Sequence, residues 1–321
     1  MAIRYSSKGF EVYNENSSSL WLSPGLRMSS NIPLFQMVDS MWMYIWADFY
    51  KHSLITKENI NYTDDLFVYN PNYNTSFYTL SVKPKNSIDF DQSQAGISLL
   101  SNNFEIIFGK LNSSFGPFYS GNLSISNNAP QFPQILIKYK HEKIIFSYLI
   151  GSLDSNIPKS ISEDSLYVDL WEWDNINLLS NQLSSNRSQV YPRYVAYHRI
   201  DFKPVSNIRF GFYEELIFSR SSIPFSYMIP VMPFWSSQHE GGDLDNLFMG
   251  FDFDVIFNFN SNKKHRIYGS LLIDEWAPFS TFSKDERNWF AYQLGYSRVD
   301  NLFSKELLSK IEYTKIDPRV Y

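Results

Sequence analysis

The chain has 321 residues, a formal net charge of −5 and no cysteine. The lack of cysteine excludes disulfide bonds, zinc–thiolate sites and cysteine nucleophiles, and the lack of a long basic block argues against nucleic acid as a partner. No apolar run approaches the roughly 18 residues of a membrane-spanning helix. The aromatic share of 18% is nevertheless high for a soluble enzyme.

The first half of the chain contains a series of candidate strands. They cover residues 20–28, 37–50, 65–69, 77–82, 94–100, 104–111, 134–140 and 143–151. The polar stretch from 154 to 192 predicts a long loop, which carries a short helix over residues 167–179. The sequence shows no internal repeat and no linker, and we therefore expect a single domain over residues 1–321.

In the second half, apolar and polar residues alternate, as in strands with one apolar and one polar face. Alternation is clearest where Phe251, Phe253, Val255 and Phe257 alternate with Asp252, Asp254 and Asn258, and it recurs over residues 208–213, 267–274 and 290–297. Many of these runs reach about 9 to 11 residues, the length of a tilted strand that crosses a bilayer. If such strands close into a barrel, the polar phase predicts positions facing its interior, the lumen. The residues at these positions are Arg199, Glu215, Asp252, Asp254 and Asp274.

Two local features of these strands lead to further expectations. Arg199 and Glu215 lie on the polar phase of neighbouring strands, so they could form an ion pair across the lumen or each be hydrated. Glu214 breaks the alternation of its strand, which favours a β-bulge at that residue.

From residue 134 onward, very short connections alternate with long polar ones. The short connections lie at residues 141–142, 203–206, 260–264 and 299–305, and the long ones at 153–192, 219–245 and 277–287. In an outer-membrane barrel one rim carries tight periplasmic turns and the other carries extracellular loops, whereas a soluble sandwich has no reason to sort its loops by length. We therefore predict an all-β fold, an antiparallel transmembrane β-barrel of the bacterial outer membrane.

Three blocks of sequence resemble the Wzi-like capsule assembly family of outer-membrane barrels, in the order of that family. The first block is residues 104–130, which include Phe115-Gly116-Pro117. The second is 196–202 followed by 210–215, and the third consists of 245–246, 249–250, 252 and 269–274. The chain ends on Glu312-Tyr313-Thr314, Pro318 and Tyr321. The resemblance runs from Gln94 onward. It implies a barrel that acts as a lectin and supports the attachment of capsular or extracellular polysaccharide. Bacteroidetes gliding-motility surface barrels are similar.

The two ends of the chain depart from the pattern of that family. The first residues contain no apolar signal region or cleavage site, although an outer-membrane protein must be exported. The block that ends at Tyr321 normally leads into further strands. We therefore expect that the barrel is incomplete, with an N-terminal signal and C-terminal strands missing.

The loop over residues 219–245 combines aromatic and polar residues and is the predicted glycan-binding site. Its candidate ligands are Tyr227, Phe234, Trp235, Gln238, Glu240 and Asp243. Aromatic faces stack on sugar C–H groups while polar groups bind hydroxyls. The alternative is that the aromatics belong to the interfacial girdle or pack the loop onto the rim.

These features predict a monomer without catalytic residues, cofactor or metal, whose partners are outer-membrane lipid and polysaccharide. Two other functions stay open. Acidic lumenal residues would suit a cation-selective porin, and the same strands could build a soluble carbohydrate-binding β-sandwich. A lumen filled by residues 112–132 would favour the glycan-binding barrel, and an open water path would favour the porin.

Overall fold

The computed structural model describes residues 2–12, 18–35, 41–56, 87–127, 129, 131–153, 193–220, 222–242, 245–260, 263–276, 288–302 and 305–320. The strands predicted at 65–69 and 77–82, the helix predicted at 167–179 and Tyr321 lie outside the described residues.

Within the described parts of the chain, thirteen strands form one antiparallel sheet in which each strand pairs with its neighbours in the chain. They are β1 Ala2–Val12, β2 Ser18–Phe35, β3 Met41–Thr56, β4 Ser87–Leu100, β5 Phe104–Leu111, β6 Phe132–His141, β7 Ile144–Leu153, β8 Arg193–Val205, β9 Ile208–Phe218, β10 Asn246–Asn260, β11 Lys263–Glu275, β12 Trp289–Leu302 and β13 Lys305–Ile316. Among the described residues, no pairing joins β1 to β13. The prediction of an all-β antiparallel fold is confirmed.

Agreement with the predicted strands is closest in the middle of the chain. β5 has the predicted bounds, whereas β2 is longer than the predicted 20–28 and β1 was not predicted. Pro24 and the polar run Ser29–Ser30–Asn31 interrupt the apolar pattern of β2, yet the strand pairs with β3 on both sides of Pro24. Pairing with a regular neighbour therefore extends strands that local preference alone would end.

The connections sort by length onto two rims of the sheet. The connections that follow β2, β4, β6, β8, β10 and β12 are short, and we call their side the turn rim. The opposite side, which we call the loop rim, holds the strand ends that the longer connections join, and also the ends of β1 and β2, which are close in the chain. The longer connections cover residues 57–86, 112–131, 154–192, 219–245 and 276–288. By the rule for outer-membrane barrels, the loop rim is extracellular.

The two faces of the sheet differ in polarity. The outward face carries exposed apolar side chains along most strands, including Ile97, Phe108, Ile200, Phe212, Leu271 and Leu294. The inward face carries buried polar and charged groups, including Ser98, Gln134, Arg199, Asp252 and Gln293. This arrangement is that of a wall with lipid outside and a polar interior. Among the described residues, no helix is long and apolar enough to cross a membrane.

Candidate functional site

The connection between β5 and β6, residues 112–131, turns into the interior from the loop rim and contacts strands that are far apart in the sheet. Ser113 donates to Gln134 of β6 over 2.6 Å, and Ser124 donates to Glu215 of β9 over 2.8 Å. Gln293 of β12 donates over 3.0 Å to the carbonyl of Gly121. Because one segment touches β6, β9 and β12, the sheet curls around it. We call residues 112–131 the lumenal segment.

Glu312 of β13 binds the tip of the lumenal segment. Its carboxylate accepts hydrogen bonds from the backbone N–H groups of Tyr119 and Ser120, both over 2.9 Å, and from the Ser120 hydroxyl. The hydroxyl of Tyr268 on β11 donates to the same carboxylate over 2.7 Å. Several donors therefore converge on one charged acceptor, which is a strong arrangement for fixing a loop.

Arg266 of β11 provides a second attachment point. Its guanidinium donates to the carbonyl of Pro117 over 3.0 Å and to both oxygens of Asp254 over 2.7 and 2.9 Å. The same guanidinium lies 5.2 Å from the ring centre of Tyr119 and 4.5 Å from that of Tyr268, within the range of cation–π attraction. Arg266 thus joins the wall, the acidic lumen and the lumenal segment.

The turn at Gly116-Pro117 has a conformation that requires glycine. Gly116 has φ 133°, a value that L side chains rarely adopt, and a Cβ there would overlap the side chain of Asn122. Asn122 in turn accepts a hydrogen bond from the backbone N–H of Phe118 over 3.1 Å. The motif that carried the family resemblance therefore shapes the part of the chain that fills the lumen.

A buried ion cluster centred on Arg199 stiffens the inner wall. The Arg199 side chain is only 1% exposed and donates to both oxygens of Asp252 over 2.6 and 2.8 Å. It also donates to both oxygens of Asp201 over 3.0 and 2.6 Å. Gly211 makes this possible, because a Cβ at that residue would overlap the guanidinium. Arg199 therefore pairs with these two aspartates instead of with Glu215, which accepts from Ser124.

The structure places all five predicted lumenal residues at inward-facing positions. Arg199, Glu215 and Asp252 are buried, and Asp254 and Asp274 are partly buried. Asp254 also lies 3.5 Å from the guanidinium of Arg209. The charged lumenal groups mostly bind one another or the lumenal segment.

The connection between β9 and β10 turns the other way, onto the outward face of the wall. Its residues 222–242, which we call the outer strap, contain a 3₁₀ turn at Phe225–Met228 and a helix, α1, at Phe234–Glu240. Phe234 and Tyr227 are buried against Tyr148, Ala196 and Leu216 of β7, β8 and β9. Tyr148 also donates to the carbonyl of Tyr227 over 2.7 Å. The strap therefore has its own apolar core outside the barrel wall.

Polar contacts close the C-terminal end of the strap. The Tyr227 hydroxyl and the Arg220 guanidinium both donate to Asp245 over 2.7 Å. Gln238 donates to the backbone carbonyl of Asp245. The hydrogen bond to Asp245 raises the pKa of Arg220.

Glu214 faces outward, and the strap covers it. Its carboxylate lies 2.8 Å from Nε2 of His198 and accepts from the backbone N–H of Phe234 over 2.8 Å. The rings of His198 and Phe234 stack with centres 4.4 Å apart. The prediction of a bulge at Glu214 is wrong, because the register with β8 and β10 is continuous there. Because the strap covers the carboxylate and His198 lies within hydrogen-bonding distance of it, the strand does not have to turn the carboxylate inward.

The structure separates the six predicted glycan ligands. Tyr227, Phe234 and Gln238 are buried where the strap meets the wall, Trp235 is 53% exposed, and Glu240 is exposed. The ring of Trp235 lies 4.5 Å from that of His239, whose Nδ1 is 2.7 Å from the Trp235 carbonyl. Asp243 lies outside the described residues.

Sequence reasoning missed the residues that hold the two connections in place. His198, Arg266 and Glu312 were not predicted as contacts, since their partners lie 16, 149 and about 190 residues away in the chain. His198 and Glu312 both belong to stretches that resemble the family, and this resemblance was the available signal. Among the described residues, no cluster of three metal-ligating side chains is found.

Comparison with solved structures gives only distant likenesses. OmpT, an outer membrane protein of Vibrio cholerae, is 8% identical with a TM-score of 0.32, covering 94% of this chain and 88% of its own. OccK7 (OpdD) of Pseudomonas aeruginosa is 8% identical with a TM-score of 0.25, covering 98% and 91%. The FpvAI–pyocin S2 complex is 12% identical with a TM-score of 0.35, covering 93% of this chain and 42% of that one. TM-scores this low support no conclusion.

The comparison with protein families is informative. No curated protein matches the chain. The family model described as "Capsule assembly protein Wzi" matches residues 56–269, about two-thirds of the chain. The match includes the lumenal segment, the Arg199 cluster and the outer strap. The chain therefore belongs to the Wzi capsule assembly family, and with its apolar outward face and polar inward face it is a protein of the bacterial outer membrane.

Proposed function

We propose that this protein retains surface polysaccharide, capsular or extracellular, at its loop rim and does so without catalysis. Family membership supports a role in capsule assembly. The observation that carries the finer proposal is the lumenal segment, because a barrel whose interior is occupied by its own chain suits a surface receptor better than a conduit. The resemblance to gliding-motility barrels stays a prediction, and in such a role the same retained polymer would serve movement.

The contacts of the lumenal segment disfavour the porin alternative. A solute path would require the segment to leave Glu312, Glu215 and Gln293, which bind it from three separate strands. The acidic residues that would have attracted cations are engaged as well, since Asp252 binds Arg199 and Asp254 binds Arg266. The predicted soluble sandwich is disfavoured by the exposed apolar outward face.

We further propose that the glycan contacts the end of the outer strap that carries Trp235 and Glu240. Both side chains are exposed on α1, and the ring of Trp235 packs against that of His239, so the helix offers an aromatic face with a hydrogen-bonding group beside it. Tyr227, Phe234 and Gln238 would then position α1 from beneath, and Asp243 would follow it in the chain.

Retention of polysaccharide by cells tests the proposal. In a capsulated host that lacks its own copy, the natural gene carrying Trp235→Ala with Glu240→Gln should release several-fold more polysaccharide into the medium than wild type. Tyr139→Ala is the matched control, because Tyr139 is an exposed aromatic residue near the turn rim. Heat-dependent migration in gels verifies that each barrel is folded. Unchanged retention by a folded double variant would remove the strap from the glycan site.

A further inference from the structure

The outer strap exposes apolar side chains on the face that points away from the wall. Phe225 is 78% exposed and Val231 is 76% exposed, with Met228 between them about half exposed. Phe234 and Tyr227, by contrast, fill the core beneath the strap. The strap therefore has two apolar faces, and the wall accounts for only one of them.

The composition of the strap differs from that of an aqueous loop. No Asp, Glu, Lys, Arg or His occurs over residues 221–238. Arg220 precedes this run and His239 follows it. The neighbouring long connection at 154–192 contains both acidic and basic residues. An uncharged run with large exposed apolar side chains is suited to hydrocarbon rather than to water.

The exposed face of the strap continues the outward surface of the barrel. β9 runs from the turn rim to the loop rim, and Phe212, Glu214 and Leu216 follow one another on its outward face. Phe212 is 55% exposed, whereas Leu216 is fully covered by the strap. The strap thus begins where the bare apolar wall ends, on the loop-rim half of β7, β8 and β9.

The Glu214 carboxylate and its His198 partner beneath the strap explain why the strap must stay docked. Glu214 and His198 lie on the outward face, where an uncovered carboxylate would meet lipid, an expensive environment for charge. The backbone N–H of Phe234 and the ring of Phe234 close over this pair. A strap that lifted away would leave both polar groups facing acyl chains.

We propose that the outer strap is embedded in the outer leaflet, with Phe225, Met228 and Val231 among lipid acyl chains and Trp235 at the boundary with water. Lipid is the occupant because the exposed face is uncharged and continuous with the lipid-facing wall. Trp at an interface presents an apolar body to lipid and a polar N–H to water. This inference concerns how the loop rim is anchored and holds whether or not the protein retains polysaccharide.

The absence of native cysteine allows a direct test by site-directed spin labelling. Single variants Phe225→Cys and Val231→Cys in the full chain, reconstituted in phospholipid vesicles, should be relaxed strongly by oxygen and weakly by a water-soluble nickel chelate. Phe212→Cys serves as the lipid reference. Glu240→Cys serves as the water reference, because it is exposed at the end of the same strap. The oxygen-to-nickel ratio at 225 and 231 should match that at 212 and exceed that at 240 several-fold.

Two outcomes would overturn the proposal. Labels at 225 and 231 that behave like the label at 240 would place the strap in water. Labels shielded from both reagents in native outer-membrane vesicles, but not in vesicles of purified protein, would show that a protein partner covers the strap. Because Phe225 and Val231 are exposed, their replacement leaves the packed face intact, and heat-dependent migration confirms folding.

Discussion

Two long connections leave the same rim of this barrel and fold in opposite directions. The lumenal segment enters the interior and is held by polar and charged groups, among them Glu312 and Arg266. The outer strap lies on the outside and is held by buried Phe234 and Tyr227. The side to which each connection turns follows from its composition, since the first is rich in Ser and Asn and the second is dominated by apolar residues from Ile223 to Trp235.

The largest expected effect concerns the buried ion cluster that lines the inner face. Arg199→Met should lower the free energy of unfolding by about 3–5 kcal/mol, because Asp201 and Asp252 would remain buried without their partner. Urea titration in lipid vesicles measures the change. Arg298→Met is the matched control: Arg298 pairs with Asp300 but is about one-third exposed, so little change is expected. Equal losses in the two variants would contradict the role of burial.

The core of the outer strap is the next strongest test. Phe234→Ala should lower the free energy of opening the strap by about 3 kcal/mol. This is at the lower end of the range for a buried aromatic residue, because a surface element can partly collapse into the cavity. Limited proteolysis of the folded barrel, with cleavage mapped to residues 222–242, reports on that local opening. The adjacent Trp235→Ala, which removes a half-exposed ring, should leave cleavage near the wild-type rate. Similar protection in both variants would show that the strap is not held by this core.

Strand alternation was readable from the sequence, but the partners of the alternating residues were not. The pattern over residues 251–258 predicts β10 and its polar inward phase correctly. Taken alone, the pattern also predicts that Asp252→Asn changes the stability of the protein only slightly, because a lumenal carboxylate would be hydrated. The two hydrogen bonds from Arg199 reverse that expectation, and they depend on a residue 53 positions away.

The missed elements have similar causes. Helix α1 has seven residues and no side-chain cap, so the local sequence contains no signal that predicts it. Its position depends on the packing of Phe234 against the outward face of the wall. The bulge expected at Glu214 rested on the assumption that a carboxylate cannot face outward. Sequence reasoning had no means of knowing that another part of the chain covers it.

The free-energy cost of placing a charge on the outward face should depend on how deep the residue lies in the membrane. Phe212→Arg, in the middle of β9, should cost about 2–4 kcal/mol, and Val205→Arg, at the turn rim, about 0–1 kcal/mol. Folding equilibria in lipid vesicles give both values. Both side chains are exposed on the same wall, so a smaller loss at Phe212 than at Val205 would contradict the assignment of the outward face to lipid.

The smallest expected effect lies at the attachment of the lumenal segment. Glu312→Gln keeps the shape of the side chain but removes its charge, and should cost about 1 kcal/mol, the difference between charged and neutral hydrogen bonds. Chemical denaturation is again the measurement. Glu306→Gln on the same strand, where the side chain is exposed, should change stability by less than about 0.5 kcal/mol. A larger loss at Glu306 would argue against the convergence on Glu312.

Electrical conductance of the natural full-length protein in planar lipid bilayers tests the central claim, that the barrel is filled by its own lumenal segment, most directly. Wild type should show no steady conductance above that of the bare bilayer. Two variants provide the comparison. In the first, a short Gly–Ser linker replaces residues 114–127, and the second combines Glu312→Gln with Gln293→Ala. We predict a closed wild type and a stable or flickering conductance once the segment is shortened or released. A wild-type conductance as large as that of the shortened variant would contradict the account.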